Sequence, residues 1–260
     1  MPQKEYLCQI ISIIMKFKNA IFILTLAFIA IAKSFAQSEF TTCLFDSIRN
    51  RPISIAVYQP GEVSKHNPII IFNHGYDGNE NPTSNKSYSY LTRFLSEKGY
   101  YVISIQHELP NDPLLAMKGN FMETRMPNWQ RGVQNILFTI HEFRKLKPEL
   151  NWEDVTMIGH SNGGDMTMLL ATEHPDLIKK AISMDHRRMI MPRSSNPQIY
   201  SLRGSDYEAD PGVLPTVEEQ QKYHITIIKL KGITHSDMGH QGSKEQHDII
   251  KQHIYNFLKE

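Results

Sequence analysis

Cysteine is nearly absent: two residues, Cys8 and Cys43, in a chain of 260. No disulfide framework can carry the fold, so apolar packing must. Charge of one sign is not in excess either. Lys and Arg number 28 against 27 Asp and Glu, a net of +1, which leaves no electrostatic footprint for a phosphate backbone and argues against nucleic acid as a partner. No apolar run reaches the roughly 18 residues that a spanning helix needs. The 14 Gly and 14 Pro are scattered without period, which excludes collagen-like, low-complexity and solenoid architectures. What remains is an ordinary globular complement, 40% hydrophobic, at a length suited to one domain with a sizeable core.

The longest apolar run lies near the start. Residues Ala20 to Ala32 read AIFILTLAFIAIA, with Lys16 and Lys18 before them and SFAQ after. A basic flank, a short apolar stretch and small residues at Ser34 and Ala36 are the marks of a secretory signal peptide over 1–36, cut before Gln37. At 13 residues the run is too short for a stable anchor across a hydrocarbon layer of roughly 30 Å. Met15, directly before the basic pair, is an alternative initiator. Losing 1–36 removes Lys4, Lys16, Lys18, Lys33 and Glu5 and leaves 37–260 with a net charge of −2. It also removes Cys8, leaving Cys43 as a small apolar residue near the new start. The expectation is an exported protein, periplasmic or released, with one domain over 37–260.

From residue 53 onward, short β-branched runs alternate with segments of helical period, the pattern of an α/β fold with a mostly parallel sheet and helices on both faces. The expected strands are Ile53 to Tyr58, Pro68 to Asn73, Tyr101 to Gln106, Val155 to Gly159, Lys180 to Met184, Gln198 to Arg203 and Ile225 to Lys231. Helices are expected over Tyr88 to Lys98, Pro127 to Leu146, Asn162 to His174 and Ser243 to Leu258. In the second, Val133, Ile136, Leu137, Ile140 and Phe143 form a core-facing stripe. In the last, Ile249, Ile250, Ile254 and Phe257 share one side.

The informative stretch is VTMIGHSNGG, Val155 to Gly164, an apolar strand running through G-x-S-x-G into a helical pattern. Glycines flanking Ser161 let strand and helix approach closely while the serine projects from a sharp turn, and the helix N-terminus points its amides at the same place. A serine hydroxyl is a weak nucleophile that needs a histidine base held by a carboxylate. Of twelve histidines, His235 follows the last apolar run, in a loop at the C-terminal end of a strand, and comes last in chain order as this elbow architecture requires. His240, His247 and His253 are spaced seven and six apart, matching no zinc pattern, so no metal is expected. Upstream, the strand in IIIFNHGYDG ends at His74 and Gly75, and its loop can aim the Tyr76 N–H at a developing oxyanion alongside the Asn162 N–H. Two such donors are worth about 3 kcal/mol each to the tetrahedral intermediate.

These pieces resemble the α/β-hydrolase superfamily from about residue 45 to the C-terminus, and within it platelet-activating-factor acetylhydrolases and similar secreted esterases. The matching segments are FNHGYDG, YVISIQHE, GHSNGG, AISMD and GITHSDM. The resemblance implies a carboxylic-ester hydrolase with a Ser-His-Asp triad and no cofactor, mapped onto Ser161 and His235. The acid is left open among Asp185, Asp206 and Asp210, all of which end or follow strands between the serine and the histidine. The acetylhydrolase-like reading selects Asp185, whereas most members of the superfamily place the acid one strand later.

The connection from Asp185 to Gln198 is too short for a cap domain. The long irregular stretch is His107 to Met126, whose Leu114, Leu115 and Phe121 are expected to form an apolar wall for the substrate. The substrate is expected to be a small-molecule or polymeric ester, cleaved through an acyl-enzyme. A peptidase or acyltransferase using the same triad, and a catalytically silent binding protein on the same fold, remain the alternatives.

Overall fold

The strands that surround the site read as unbroken apolar runs because both of their faces are covered. In β3 (Pro68–Asn73) and β4 (Tyr101–Ile105) nearly every residue is buried. The computed structural model describes residues 38–260; the expected leader, its cut site and Met15 lie outside the described residues. An eight-stranded sheet runs in the order β1-β2-β4-β3-β5-β6-β7-β8. β1 (Ser38–Asp46) and β2 (Arg51–Gln59) are antiparallel to their neighbours. From β4 through β5 (Asn151–His160), β6 (Lys180–Met184), β7 (Gln198–Arg203) and β8 (Thr226–Lys229) the pairing is parallel.

Side chains of alternate parity feed two cores. Ile69, Ile71, Ile103 and Met157 pack with α3 (Met126–Leu146) and α4 (Asn162–Glu173), through Val133, Ile136, Phe143 and Leu170. Ile70, Phe72, Val102 and Ile158 pack on the other face with α1 (Ser89–Glu97) and α6 (Lys244–Lys259), through Leu91, Leu95, Ile250 and Phe257. This period-two division makes the molecule three layers.

Several expectations shift. β1 was not anticipated: most of this edge strand is exposed, so its apolar alternation is weak. Cys43 lies on it with its side chain toward solvent. Helix α5 (Val217–Tyr223) leaves no periodic signature because none of its residues is fully buried; its signal is the capping box of Thr216 and Glu219. On α6 the buried stripe is Ile250, Ile254 and Phe257, while Ile249 is 45% exposed at its margin. Between β6 and β7 the described residues hold no helix, whereas the β4–β5 connection carries the short α2 (Phe121–Thr124) before α3, a cap-like insertion at that junction. Among the described residues no helix is long and apolar enough to cross a membrane.

Candidate active site

Ser161 sits between β5 and α4 with φ 52° and ψ −120°, a region that L-residues avoid and that persists only where the surroundings enforce it. The enforcement is steric. A Cβ at Gly163 would overlap the carbonyl oxygens of Asn73 and His74, and one at Gly159 would overlap the Gly163 carbonyl. Both positions must therefore be glycine for α4 to start so close to β3. The Ser161 N–H donates to the Met184 carbonyl at 2.9 Å, which pins the bend to β6.

The parallel register brings Gly159 beside Ser183 and Met184 beside Leu202, so residues following β5, β6 and β7 meet at one sheet edge. Asp185 follows β6 and is fully buried. His235 arrives from the loop after β8. Its Nε2 lies 2.9 Å from the Ser161 Oγ, and its Nδ1 lies 2.6 Å from an Asp185 carboxylate oxygen. With Nδ1–H donating to the carboxylate, the Nε2 lone pair faces the serine hydroxyl, the tautomer a general base requires. The other Asp185 oxygen accepts the Gly204 N–H at 2.9 Å and pairs with Arg203 at 2.9 Å. Burial pushes the Asp185 carboxyl up, but the His235 bond, the Arg203 charge and the Gly204 N–H outweigh it and hold its pKa below the usual carboxylate value.

The three candidate acids thus separate by contact. Asp206 accepts the His235 backbone N–H at 2.8 Å and holds the loop rather than the ring. Asp210 is ion-paired with Arg188. The bond partner of the imidazole is Asp185.

Around this line lie groups that the sequence did not single out. His160 is buried, its Nδ1 lies 2.6 Å from the Tyr88 hydroxyl, and its Nε2–H donates to the His235 carbonyl at 3.1 Å. Burial lowers its pKa to about 3, so it is neutral at neutral pH. The Tyr88 hydroxyl also accepts the Gly75 N–H at 3.2 Å, and the His74 Nδ1–H donates to the Gly75 carbonyl at 2.7 Å. Gly75 is therefore held through both its N–H and its carbonyl, and that carbonyl belongs to the Gly75–Tyr76 peptide whose N–H is one of the two expected oxyanion donors. The other donor, the Asn162 N–H, is at the first turn of α4, where backbone amides lack intrahelical acceptors. The Asn162 side chain is clamped by Trp129 at 2.9 Å and Asn128 at 2.8 Å. His160 was visible inside the motif, but nothing in the sequence ties Tyr88 to it.

A cavity of about 150 Å³ opens beside Ser161, lined by Gly75, Tyr76, Tyr88, His160, His235 and His240 among others. Leu114, Leu115 and Phe121 do not line it. Leu114 is 77% exposed, and Leu115 is buried with its N–H 3.3 Å from the Tyr76 hydroxyl. Phe121 is stacked by the guanidiniums of Arg125 and Arg188 at 4.5 and 4.4 Å. His247 stacks on Tyr90 at 3.6 Å, and among the described residues no group of three or more His, Cys, Asp or Glu could hold a metal ion.

No family model matches the chain. Over 81 residues it is 30% identical to a protein described as a probable serine hydrolase from Drosophila melanogaster, covering 28% of this chain and 24% of that one. Among solved structures it is similar to an acylaminoacyl peptidase of Pyrococcus horikoshii, with TM-score 0.61 and 16% identity over 86% of this chain and 41% of the peptidase. A ferulic acid esterase of Anaeromyces mucronatus gives TM-score 0.59 and 12% identity over 85% of this chain and 89% of the esterase. Esterase 2 of Thermogutta terrifontis gives 0.61 and 11% over 84% and 94%. The chain spans less than half of the fly protein and of the peptidase, and what it shares with the solved structures is the fold, that of the α/β-hydrolases.

Proposed function

We propose that this α/β-hydrolase-fold protein is a serine hydrolase of carboxylic esters that works through an acyl-enzyme. The observation that carries the reading is the unbroken hydrogen-bonded line from Ser161 through His235 to Asp185, set on a strained elbow at the mouth of a cavity. His235 Nε2 takes the Ser161 proton as the oxygen attacks the ester carbonyl. The resulting imidazolium is stabilised by the Asp185 carboxylate, and the oxyanion rests on the Tyr76 and Asn162 amides. The imidazolium then protonates the leaving alcohol, and water attacks the acyl-enzyme by the same route in reverse. No cofactor enters the cycle.

The cavity, about 150 Å³, is small against the roughly 300–1,000 Å³ of drug-sized pockets, which supports a short acyl group such as acetyl or butyryl. Short-acyl specificity agrees with the resemblance to platelet-activating-factor acetylhydrolases, to which AISMD and GITHSDM contribute. In this reading 37–260 forms one catalytic domain without a separate cap domain. The 1–36 pattern supports export, with the enzyme acting in the periplasm or outside the cell. The test is a panel of acetyl, butyryl, long-acyl, polyester and amide substrates. Short esters should turn over, and Ser161→Ala should lose about a millionfold in kcat. Turnover of amides alone would instead favour a peptidase.

A further inference from the structure

Outside the residues that line the cavity lies a cationic cluster. Arg125, Arg187 and Arg188 gather near Phe121 and Tyr207, close enough that Arg187 and Arg188 add to burial in lowering the Arg125 pKa, with Asp165 and Asp210 offsetting part of it. The nearby acids are engaged. Asp210 is paired with Arg188, Asp165 is buried and accepts the Arg188 and Met189 amides at 3.0 and 2.9 Å, and Asp185 is paired with Arg203. Asp206 accepts the His235 N–H. Arg187, two residues after Asp185, has no carboxylate partner among the described residues. Its half-buried guanidinium lies over the Tyr207 ring at 4.4 Å, and that ring meets the His235 imidazole edge-on at 6.0 Å. A stacked guanidinium is pre-oriented, with its donor fork free for a planar anion. Arg188 has Asp210, but Arg187 has no acid of its own, and a ligand at the rim of the reaction site can supply its counter-charge.

Resting on the serine-hydrolase reading, we infer that Arg187, backed by Tyr207, reads a carboxylate on the substrate, so that the preferred esters are anionic ones whose charged end lies outside the small cavity. Arg187 is a specificity residue in this account and takes no part in proton transfer.

The experiment measures kcat/KM for two matched pairs. One is p-nitrophenyl hemisuccinate against its methyl-capped diester, which places the charge on the acyl side. The other is the acetate ester of 4-hydroxybenzoate against that of methyl 4-hydroxybenzoate, which places it on the leaving group. The wild type should favour the anionic member of at least one pair by about tenfold, the worth of one partly exposed charge-assisted contact. High salt should shrink the ratio. Arg187→Gln should bring it to unity, and Arg187→Lys should keep part of it; the ratio, not either rate, is the readout. Equal rates in both pairs, or a preference that survives Arg187→Gln, would overturn the inference while leaving the ester-hydrolase reading in place. Failure to turn over any of the four esters would remove both.

Discussion

Replacing Asp185 by Asn changes the charge of the site without changing its shape, and its consequences can be worked out contact by contact. The carboxylate receives three groups: the His235 Nδ1–H at 2.6 Å, the Gly204 N–H at 2.9 Å and the Arg203 guanidinium at 2.9 Å. An amide oxygen serves Gly204 and Arg203 but turns its NH₂ toward the imidazole. Nδ1 must then accept, the proton moves to Nε2, and Nε2 can no longer take the Ser161 proton. Loss of the tautomer costs about 10⁴ in kcat, about 5.4 kcal/mol of barrier. KM should move little, because Asp185 is fully buried and does not line the cavity. The change also leaves the buried Arg203 without a counter-ion, a loss of up to about 3–5 kcal/mol when one partner of a buried pair is removed. In the wild type the depressed Asp185 pKa contributes stability that is present above the ordinary carboxylate value and lost as pH falls through the lower folded value. The variant should lack that part of the acid transition. Steady-state kinetics on p-nitrophenyl acetate with urea melts at pH 3 and pH 7 report all three effects. A fall in kcat of less than tenfold in a folded Asp185→Asn protein, or an equal fall in Asp206→Asn or Asp210→Asn, would refute the reasoning.

Other consequences are as direct. Tyr88→Phe removes the hydroxyl shared by His160 and the Gly75 N–H. It should lower kcat about ten- to a hundredfold with a smaller change in KM, and cost about 1–3 kcal/mol of stability from the groups left unpaired; unchanged kcat would show that the oxyanion loop does not depend on it. Gly163→Ala places a methyl group against the Asn73 and His74 carbonyls, and should yield little folded protein by circular dichroism. Asp165 is buried, and desolvation raises its pKa to about 6. An acid whose folded pKa is raised loses stability as pH climbs from its ordinary value to the folded one, so Asp165→Asn should gain up to about 3 kcal/mol relative to wild type between pH 3 and pH 8. Urea melts at the two pH values check the sign.

Much of this is legible in the sequence, and each exception has a physical cause. The buried strands of the parallel sheet declare themselves as apolar runs, and Lys180–Met184 and Gln198–Arg203 have the same bounds in sequence and structure. The elbow is legible because its glycines are forced by contacts within a few residues and with the strand next to it. β1 and α5 bury too little to leave a periodic signature. The acid could not be chosen from spacing, since three aspartates follow neighbouring strands and only side-chain direction separates them. Tyr88 and Arg203 reach the site from positions 72 residues before His160 and 18 after Asp185, which no local pattern encodes. The Leu114, Leu115 and Phe121 stretch is apolar in sequence, but Phe121 is occupied by two stacked arginines and Leu114 faces solvent.

The central claim is that Ser161 is an activated nucleophile. Incubating the protein with a fluorophosphonate and locating the adduct by peptide mass spectrometry tests it without assuming any substrate. The account predicts one adduct per chain, on Ser161, formed far more slowly in His235→Ala. No adduct on folded protein, or one formed at the same rate without His235, would contradict it.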